Sequence, residues 1–158
     1  MKKILFILPL LLLLTMCKSA KTAAPSIKEV VELRYRDDFR AASAVEKAAV
    51  LKSLKATTAK YSVLVFTQNF KGEKIVVSNP AKKLYSDYVI SSLKTGIADK
   101  TRIDNTVDTK IYDNLTKKDF TLLAKDAAKY KFIYLMKNPG GETTFIVTYS
   151  NTLRPLQE

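Results

Sequence analysis

Runs of continuous and alternating hydrophobic residues predict two β-hairpins in the body of the chain. Residues 61–69 are rich in β-branched and aromatic side chains, which is typical of a buried strand. A glycine-containing turn leads from this run into the apolar residues 74–78, so the pair predicts a first hairpin. Residues 132–137 and 143–149 predict a second hairpin around an Asn-Pro-Gly-Gly turn.

Helix signals separate these hairpins. Asn79 suits the N-cap of a helix over residues 80–95, and Gly96 suits its end. Residues 116–130 begin with another helix-start signal and then carry apolar side chains at helical spacing. Between the two predicted helices, residues 101–112 alternate apolar and polar positions, which is typical of a half-exposed strand or a pair of strands.

An N-terminal helical segment is predicted over residues 26–58, which lack glycine and proline and contain many good helix formers. Ser26 and Ser43 each begin a capping-box pattern, with glutamate three residues later. The segment forms either two helices, over residues 27–42 and 44–58, or one long helix with a weak joint at Ser43.

Together these elements predict an α+β fold. Its sheet is mixed or antiparallel, contains both hairpins and one or more central strands, and has helices packed on one face. The 158 residues suit one domain with a modest core. The α/β body spans residues 59–150, and a tail follows at 151–158, where Pro155 disfavours regular structure.

The beginning of the chain has the pattern of an export signal. Lys2 and Lys3 precede an unbroken apolar run at residues 4–14. This run is too short to cross a bilayer as a helix, which needs about 20 residues. Two alternatives are a secretory signal that is cut near Ala20 or Ala24, and an uncleaved anchor.

The apolar run ends in Leu14-Thr15-Met16-Cys17, which resembles the lipobox of bacterial lipoprotein precursors. In that family an aliphatic residue stands three positions before the cysteine, which becomes the lipid-bearing first residue. A small residue usually occupies the position of Met16. The resemblance implies a signal peptide at residues 1–16 and a lipidated Cys17 with a tether at 17–25. Since no aspartate follows the cysteine, it also implies the periplasmic face of the outer membrane.

Missing residue types restrict the possible chemistry. The sequence has no histidine and a single cysteine. Cys/His zinc sites, histidine-based triads and internal disulfides are therefore excluded. Asp104 and Asp108 would lie about 13 Å apart on a strand, which is too far for a glycosidase pair. We therefore expect a protein that is not an enzyme and has no cofactor or metal.

An excess of basic residues favours anionic partners. The net charge is +12, and loss of the two signal-peptide lysines would leave +10. Nucleic acid is not expected as a partner, because an exported protein does not routinely meet it. Lys118, Lys125 and Lys129 share one side of the predicted helix at 116–130. With Lys117 they form a candidate surface for an anionic partner, although a solvated helix face would show the same pattern.

These features predict a lipid-anchored, non-catalytic subunit or accessory factor of an outer-membrane protein complex, in contact with another envelope protein. The alternative is a binding module for an anionic envelope lipid or polymer, which the net charge favours. An enzyme with Ser–Lys or carboxylate chemistry is the least favoured class, because no residue spacing selects such a pair.

The lipid anchor gives a direct prediction. Protein extracted from membranes should begin at Cys17 and carry added acyl mass, and the variant Cys17→Ala should lose both features. Intact-mass spectrometry of the two proteins measures this. An unacylated wild-type chain that begins near Lys21 or Pro25 would identify a secreted protein instead.

Overall fold

The computed structural model describes residues 30–156; the predicted signal peptide, Cys17 and the tether lie outside the described residues. Nine strands and two helices form within this range. The strands are β1 (Val31–Tyr35), β2 (Tyr61–Phe66), β3 (Lys71–Ser78), β4 (Lys83–Ile90), β5 (Asp99–Asp104), β6 (Thr109–Asp113), β7 (Asp119–Leu122), β8 (Phe132–Lys137) and β9 (Phe145–Ser150). The helices are α1 (Ala44–Ser53) and α2 (Ala124–Ala127).

The strands form two sheets. The five-stranded sheet has the order β1-β9-β8-β2-β5 and is mixed, because β1 runs parallel to β9 and β2 runs parallel to β8. The four-stranded sheet has the order β4-β3-β6-β7 and is antiparallel. The chain changes sheet after β2, β4, β5 and β7. The described residues are therefore mostly β, with less helix than the sequence predicts.

The five-stranded sheet is covered on both faces. In β2, Leu64 and Phe66 point into the core between the sheets, whereas Val63 and Val65 pack on the outer face with residues of α1. All four side chains are fully buried. A strand that is buried on both faces has no solvent-facing position, which explains the continuous apolar run in the sequence.

The helix predicted from Ser43 is confirmed, although it is shorter than expected. The Ser43 hydroxyl accepts a hydrogen bond from the backbone N–H of Glu46 at 3.1 Å, which makes it the N-cap. Val50 is buried on the outer face of the sheet. The helix ends at Ser53, because Lys55 adopts a positive φ of 51° and turns the chain towards β2. Neither helix of residues 30–156 combines the length and hydrophobicity that a membrane span requires.

The second predicted hairpin is also confirmed, as β8 and β9. The first hairpin is wrong, because β2 and β3 lie in different sheets. Asn69, with a φ of 73°, redirects the chain between them, and Gly72, with a φ of 105°, lies at a bulge within β3 rather than in a hairpin turn. Residues 101–112 are likewise divided between β5 and β6, in different sheets.

Three predicted helices are replaced largely by strands. The predicted helix at residues 27–42 contains β1, whose alternating pattern pairs with β9 and outweighs helix propensity. Residues 83–90 form β4, and the Asn79 side chain accepts hydrogen bonds from two backbone N–H groups of the β3–β4 turn. The predicted helix at residues 116–130 contains β7 and the four-residue α2.

A buried ion cluster joins the two sheets at one end of their shared core. Lys137 of β8 lies 2.6 Å from Glu73 of β3 and 2.7 Å from Asp113 of β6. No side chain of the three is more than 10% exposed. Burial opposes ionisation of both acids, but hydrogen bonds from Lys137 and from backbone N–H groups outweigh it and hold both pKa values below the ordinary range.

This cluster makes Lys137 a determinant of stability. The variant Lys137→Met should lose about 3–5 kcal/mol of unfolding free energy, because two buried carboxylates lose their counter-ion. Lys110→Met, which breaks the exposed pair with Asp119 at 2.9 Å, is the matched control and should cost less than about 1 kcal/mol. Urea unfolding measures both, and equal losses would contradict the structural role of the cluster.

The same comparison has an expected pH dependence. In the wild type the cluster's stabilisation is present above the ordinary carboxyl pKa of about 4 and is lost as pH falls below it, because the folded-state pKa values are lowered. In Lys137→Met the unpaired, buried carboxylates should have raised pKa values. The deficit relative to wild type should therefore shrink as pH falls from 7 towards 4. A deficit that does not change with pH would contradict this assignment.

Candidate functional site

The side chains of β1 alternate between two environments. Arg34 is opposite Thr148 of β9 and points to the outer face of the five-stranded sheet, the face that also carries α1. Leu33 and Tyr35 point to the other face, where they are 45% and 55% exposed. This alternation follows from the period of two in a strand.

Asp37 fixes the loop between β1 and α1. Its carboxylate accepts hydrogen bonds from the Ser150 hydroxyl at 2.6 Å and from the backbone N–H groups of Asn151 and Thr152. These bonds hold its pKa below the usual range. The loop is thereby tied to the end of β9, which places Phe39 and Arg40 beside the chain that follows β9.

Residues 151–156 follow β9 as an ordered tail without helix or strand. Leu153 is buried on the α1 side of the sheet, and its carbonyl accepts a hydrogen bond from the N–H of Ala42 at 2.7 Å. The N–H of Leu156 donates to the Glu46 side chain of α1 at 2.8 Å. These contacts hold Arg154 at the outer face of the sheet.

Arg154 lies against two aromatic rings, Phe39 and Tyr134, which also contact each other with ring centres 5.6 Å apart. Its guanidinium is 5.3 Å from the centre of the Phe39 ring and 5.8 Å from that of Tyr134. Arg36 covers the Phe39 ring as well, at 4.9 Å. The Tyr134 hydroxyl accepts a hydrogen bond from the N–H of Arg154 at 2.9 Å and donates to the carbonyl of Thr152 at 2.8 Å. Burial raises the pKa of Tyr134 to about 12, so it remains neutral.

Three adjoining hollows meet at Arg154, with volumes of about 240, 230 and 390 Å³. We call them together the arginine groove. The side chains that define it are Arg34, Arg36, Phe39, Arg40, Tyr134 and Arg154. Its floor consists of outer-face side chains of β8 and β9, and its far end is formed by the loop that follows β4.

The arginine groove is basic. Among the described residues, no aspartate or glutamate lines any of the three hollows. Arg34 pairs with Glu32 at 2.7 Å and Arg36 with Asp38 at 2.6 Å, but both pairs are exposed and therefore contribute little to stability. Arg40 and Arg154 form no ion pair within residues 30–156. The planar guanidinium group can donate two hydrogen bonds to a pair of oxygens, so such a surface suits carboxylates and phosphates.

The lysines that the sequence singled out do not form one helix face. Lys117 and Lys118 lie in the turn before β7, where Lys117 has a positive φ of 57°. Lys125 lies in α2 and Lys129 just after it, where Lys129 pairs with Asp126 at 3.3 Å. The two pairs are therefore at opposite ends of β7, and the prediction of a shared helical stripe was wrong. All four side chains are exposed, so their use as separate anionic contacts stays a prediction.

The sequence interpretation missed the groove because Arg34, Arg36 and Arg40 lie within residues 27–42, which were predicted to be helical. Arg36 instead lies on an irregular loop, where it pairs with Asp38. Arg34 and Arg36 are two residues apart, which is the spacing of side chains on one face of a strand, and this spacing could have indicated that they share a face. No sequence pattern pointed to Arg154. Its place in the groove depends on the burial of Leu153 beside it, which the local sequence does not reveal. No group of three or more candidate metal-ligating side chains occurs within residues 30–156.

No protein-family model and no curated protein matches the sequence. The function is therefore inferred from the geometry and charge of the arginine groove.

The hydroxyl of Tyr134 gives a test of how the groove is held together. Tyr134→Phe should cost about 1–3 kcal/mol of unfolding free energy, because the carbonyl of Thr152 and the N–H of Arg154 lose their shared partner. The half-buried Tyr112, whose hydroxyl bonds to no described residue, provides the control Tyr112→Phe, which should be near neutral. Denaturant unfolding measures both. Equal effects would show that the Tyr134 bonds do not hold the tail.

Proposed function

We propose that the protein is a lipid-anchored, non-catalytic accessory factor of the cell envelope, and that its arginine groove holds an acidic part of another envelope protein. The observation that carries the proposal is the placement of Arg154 against the rings of Phe39 and Tyr134, with Arg40 nearby and no carboxylate lining the groove. The side chain of Arg154 is held against these rings before binding, so it loses little conformational freedom when a ligand arrives.

The surroundings of Arg154 support recognition rather than chemistry. The aromatic rings partly exclude water, which strengthens the attraction between a guanidinium and an incoming anion. Tyr134, with its pKa near 12, stays protonated near neutral pH and is a poor general acid or base. The groove is therefore suited to binding and orienting an anionic group.

The proposed anchor limits where the partner must be. A lipid at Cys17 would hold the protein at the periplasmic face of the outer membrane, and the eight residues from Lys18 to Pro25 reach at most about 28 Å when extended. The partner should then lie at or near the same membrane. A net charge of +10 for the mature chain would increase the rate at which an acidic partner is encountered.

A second basic hollow favours the alternative of an anionic lipid or polymer. This hollow, of about 360 Å³, lies between the end of α1, the β3–β4 turn and β5. It is lined by Lys55, Lys82, Lys83 and Arg102, with Asp104 as an acidic member. A long polyanion could contact this hollow and the arginine groove at the same time, whereas a single acidic protein segment needs only the groove.

The proposal predicts a charge-specific loss of partner binding. The double variant Arg40→Gln/Arg154→Gln should reduce recovery of a stoichiometric envelope partner by about tenfold or more, because two charge-assisted contacts are removed. Lys118→Gln/Lys125→Gln is the matched control, since it removes the same charge from the exposed lysines around β7. Quantitative mass spectrometry after purification of the tagged, full-length protein in mild detergent measures the recovery.

The outcomes distinguish the candidate functions. Loss with the arginine variant alone, together with weakening by salt, supports the groove. Equal loss with both variants would favour nonspecific charge attraction. If no stoichiometric partner is recovered but the wild type binds vesicles that contain anionic lipid, and the arginine variant does not, the lipid alternative replaces the accessory function.

A further inference from the structure

We propose that β1 is the docking edge for an extended segment of the partner, which adds a sixth strand to the five-stranded sheet and alternates acidic and apolar side chains. The inference rests on the proposed function, since it names the form in which the acidic partner meets the arginine groove. β1 is the last strand of its sheet, and within residues 30–156 no strand pairs with its outer side.

The backbone of β1 leaves bonding groups available on that side. The N–H of Arg36 donates to the carbonyl of Tyr149 at 3.1 Å, and Arg34 is aligned with Thr148 in the parallel register. In a parallel pair, alternate residues bond to the neighbouring strand, so the even-numbered residues of β1 bond to β9. The N–H and C=O groups of Leu33 and Tyr35 therefore point outwards, where an added strand would bond to them.

The two faces of β1 specify different side chains in the added strand. On the groove face are Arg34 and Arg36, whose present partners, Glu32 and Asp38, are exposed and readily exchanged. On the other face, Leu33 and Tyr35 are large and about half exposed. Tyr35 also stacks on Tyr149 with ring centres 5.4 Å apart, which holds its ring in place.

An added strand places successive side chains on opposite faces of the sheet. Acidic residues at alternate positions would therefore meet Arg34 and Arg36, while the intervening apolar residues would cover Leu33 and Tyr35. Glu32 lies on the groove face at the start of β1 and disfavours an acidic residue there, so the match requires only two acidic residues, separated by one apolar residue, rather than a long acidic tract.

The other sheet edges are less suited to a partner strand. The pairing of β4 with β3 contains two register shifts, which distort that edge. β5 lies against β4, and the Tyr85 hydroxyl donates to Asp99 across them at 2.8 Å. β7 has only four residues. β1, in contrast, contains no proline or lysine, and its pairing with β9 has no register shift.

A synthetic peptide that alternates glutamate with valine tests the inference, with binding to the full-length, detergent-extracted protein followed by fluorescence anisotropy. The variant Leu33→Pro should weaken binding about tenfold, because it removes an outward N–H but no bond to β9. Leu33→Ala, which keeps the N–H, is the control for loss of the side chain and should weaken binding clearly less.

Changes in the peptide test the same bonds without altering the protein. In one version of the peptide the backbone nitrogen of every glutamate is methylated, and in the other version that of every valine is methylated. One of the two should lose binding and the other should keep it, because only one set of N–H groups can face β1. Equal behaviour of the two versions would overturn the strand-addition inference, whatever Leu33→Pro does to folding. A dimer of the protein alone that Leu33→Pro dissociates would also overturn it, because a second copy would then occupy the edge.

A further peptide separates this inference from the proposed function. It has the same glutamates interrupted by prolines, so that it keeps the charge but cannot add a strand. If it binds as well as the alternating peptide and binding needs Arg40 and Arg154, the groove recognises acidic groups and the strand inference is wrong. If neither peptide binds and the arginine variant still recovers its partner, the proposed function fails as well.

Discussion

Burial of both faces of β2 and β8 is the constraint on which the arrangement of this protein depends. A sheet with two covered faces needs a layer on each side, and the four-stranded sheet and α1 supply them. α1 has only ten residues and covers part of the outer face. The uncovered part lies over β9 and the end of β8, and this is where the arginine groove forms. The size of one helix thus determines where a ligand can reach the sheet.

The sequence predicted the elements whose signals are local. Residues 61–66 and the hairpin of β8 and β9 were recognisable because their apolar residues and turn lie next to one another. Ser43 was recognisable because a cap needs only Glu46, three residues later. β1, β4 and β7 were assigned to helices, because a strand of four to eight residues draws its stability from partners that a local pattern does not reveal.

The candidate site was less predictable than the fold for the same physical reason. Arg36 and Arg40 come from the first part of the described chain and Arg154 from the last. The hydrogen bonds of Asp37 to Asn151 and Thr152 that bring these regions together span 114 and 115 residues. The net charge of the chain predicted a bias towards anionic partners, but charge alone does not reveal which side chains share a surface. The lysines around β7 were more conspicuous in the sequence, yet they lie at opposite ends of that strand, and of the four Lys129 alone lines one of the hollows described within residues 30–156.

The distance along the chain between β1 and β9 also determines when the groove can exist. A polypeptide is synthesised from its N-terminus, so β1, Phe39 and Arg40 emerge long before β9 and Arg154. Contacts between such distant segments form late because closing a long loop costs entropy. The arginines therefore cannot converge until almost the whole chain is in place. Unfinished or truncated chains would expose individual basic residues but no assembled groove, so competence to bind would itself report that folding is complete.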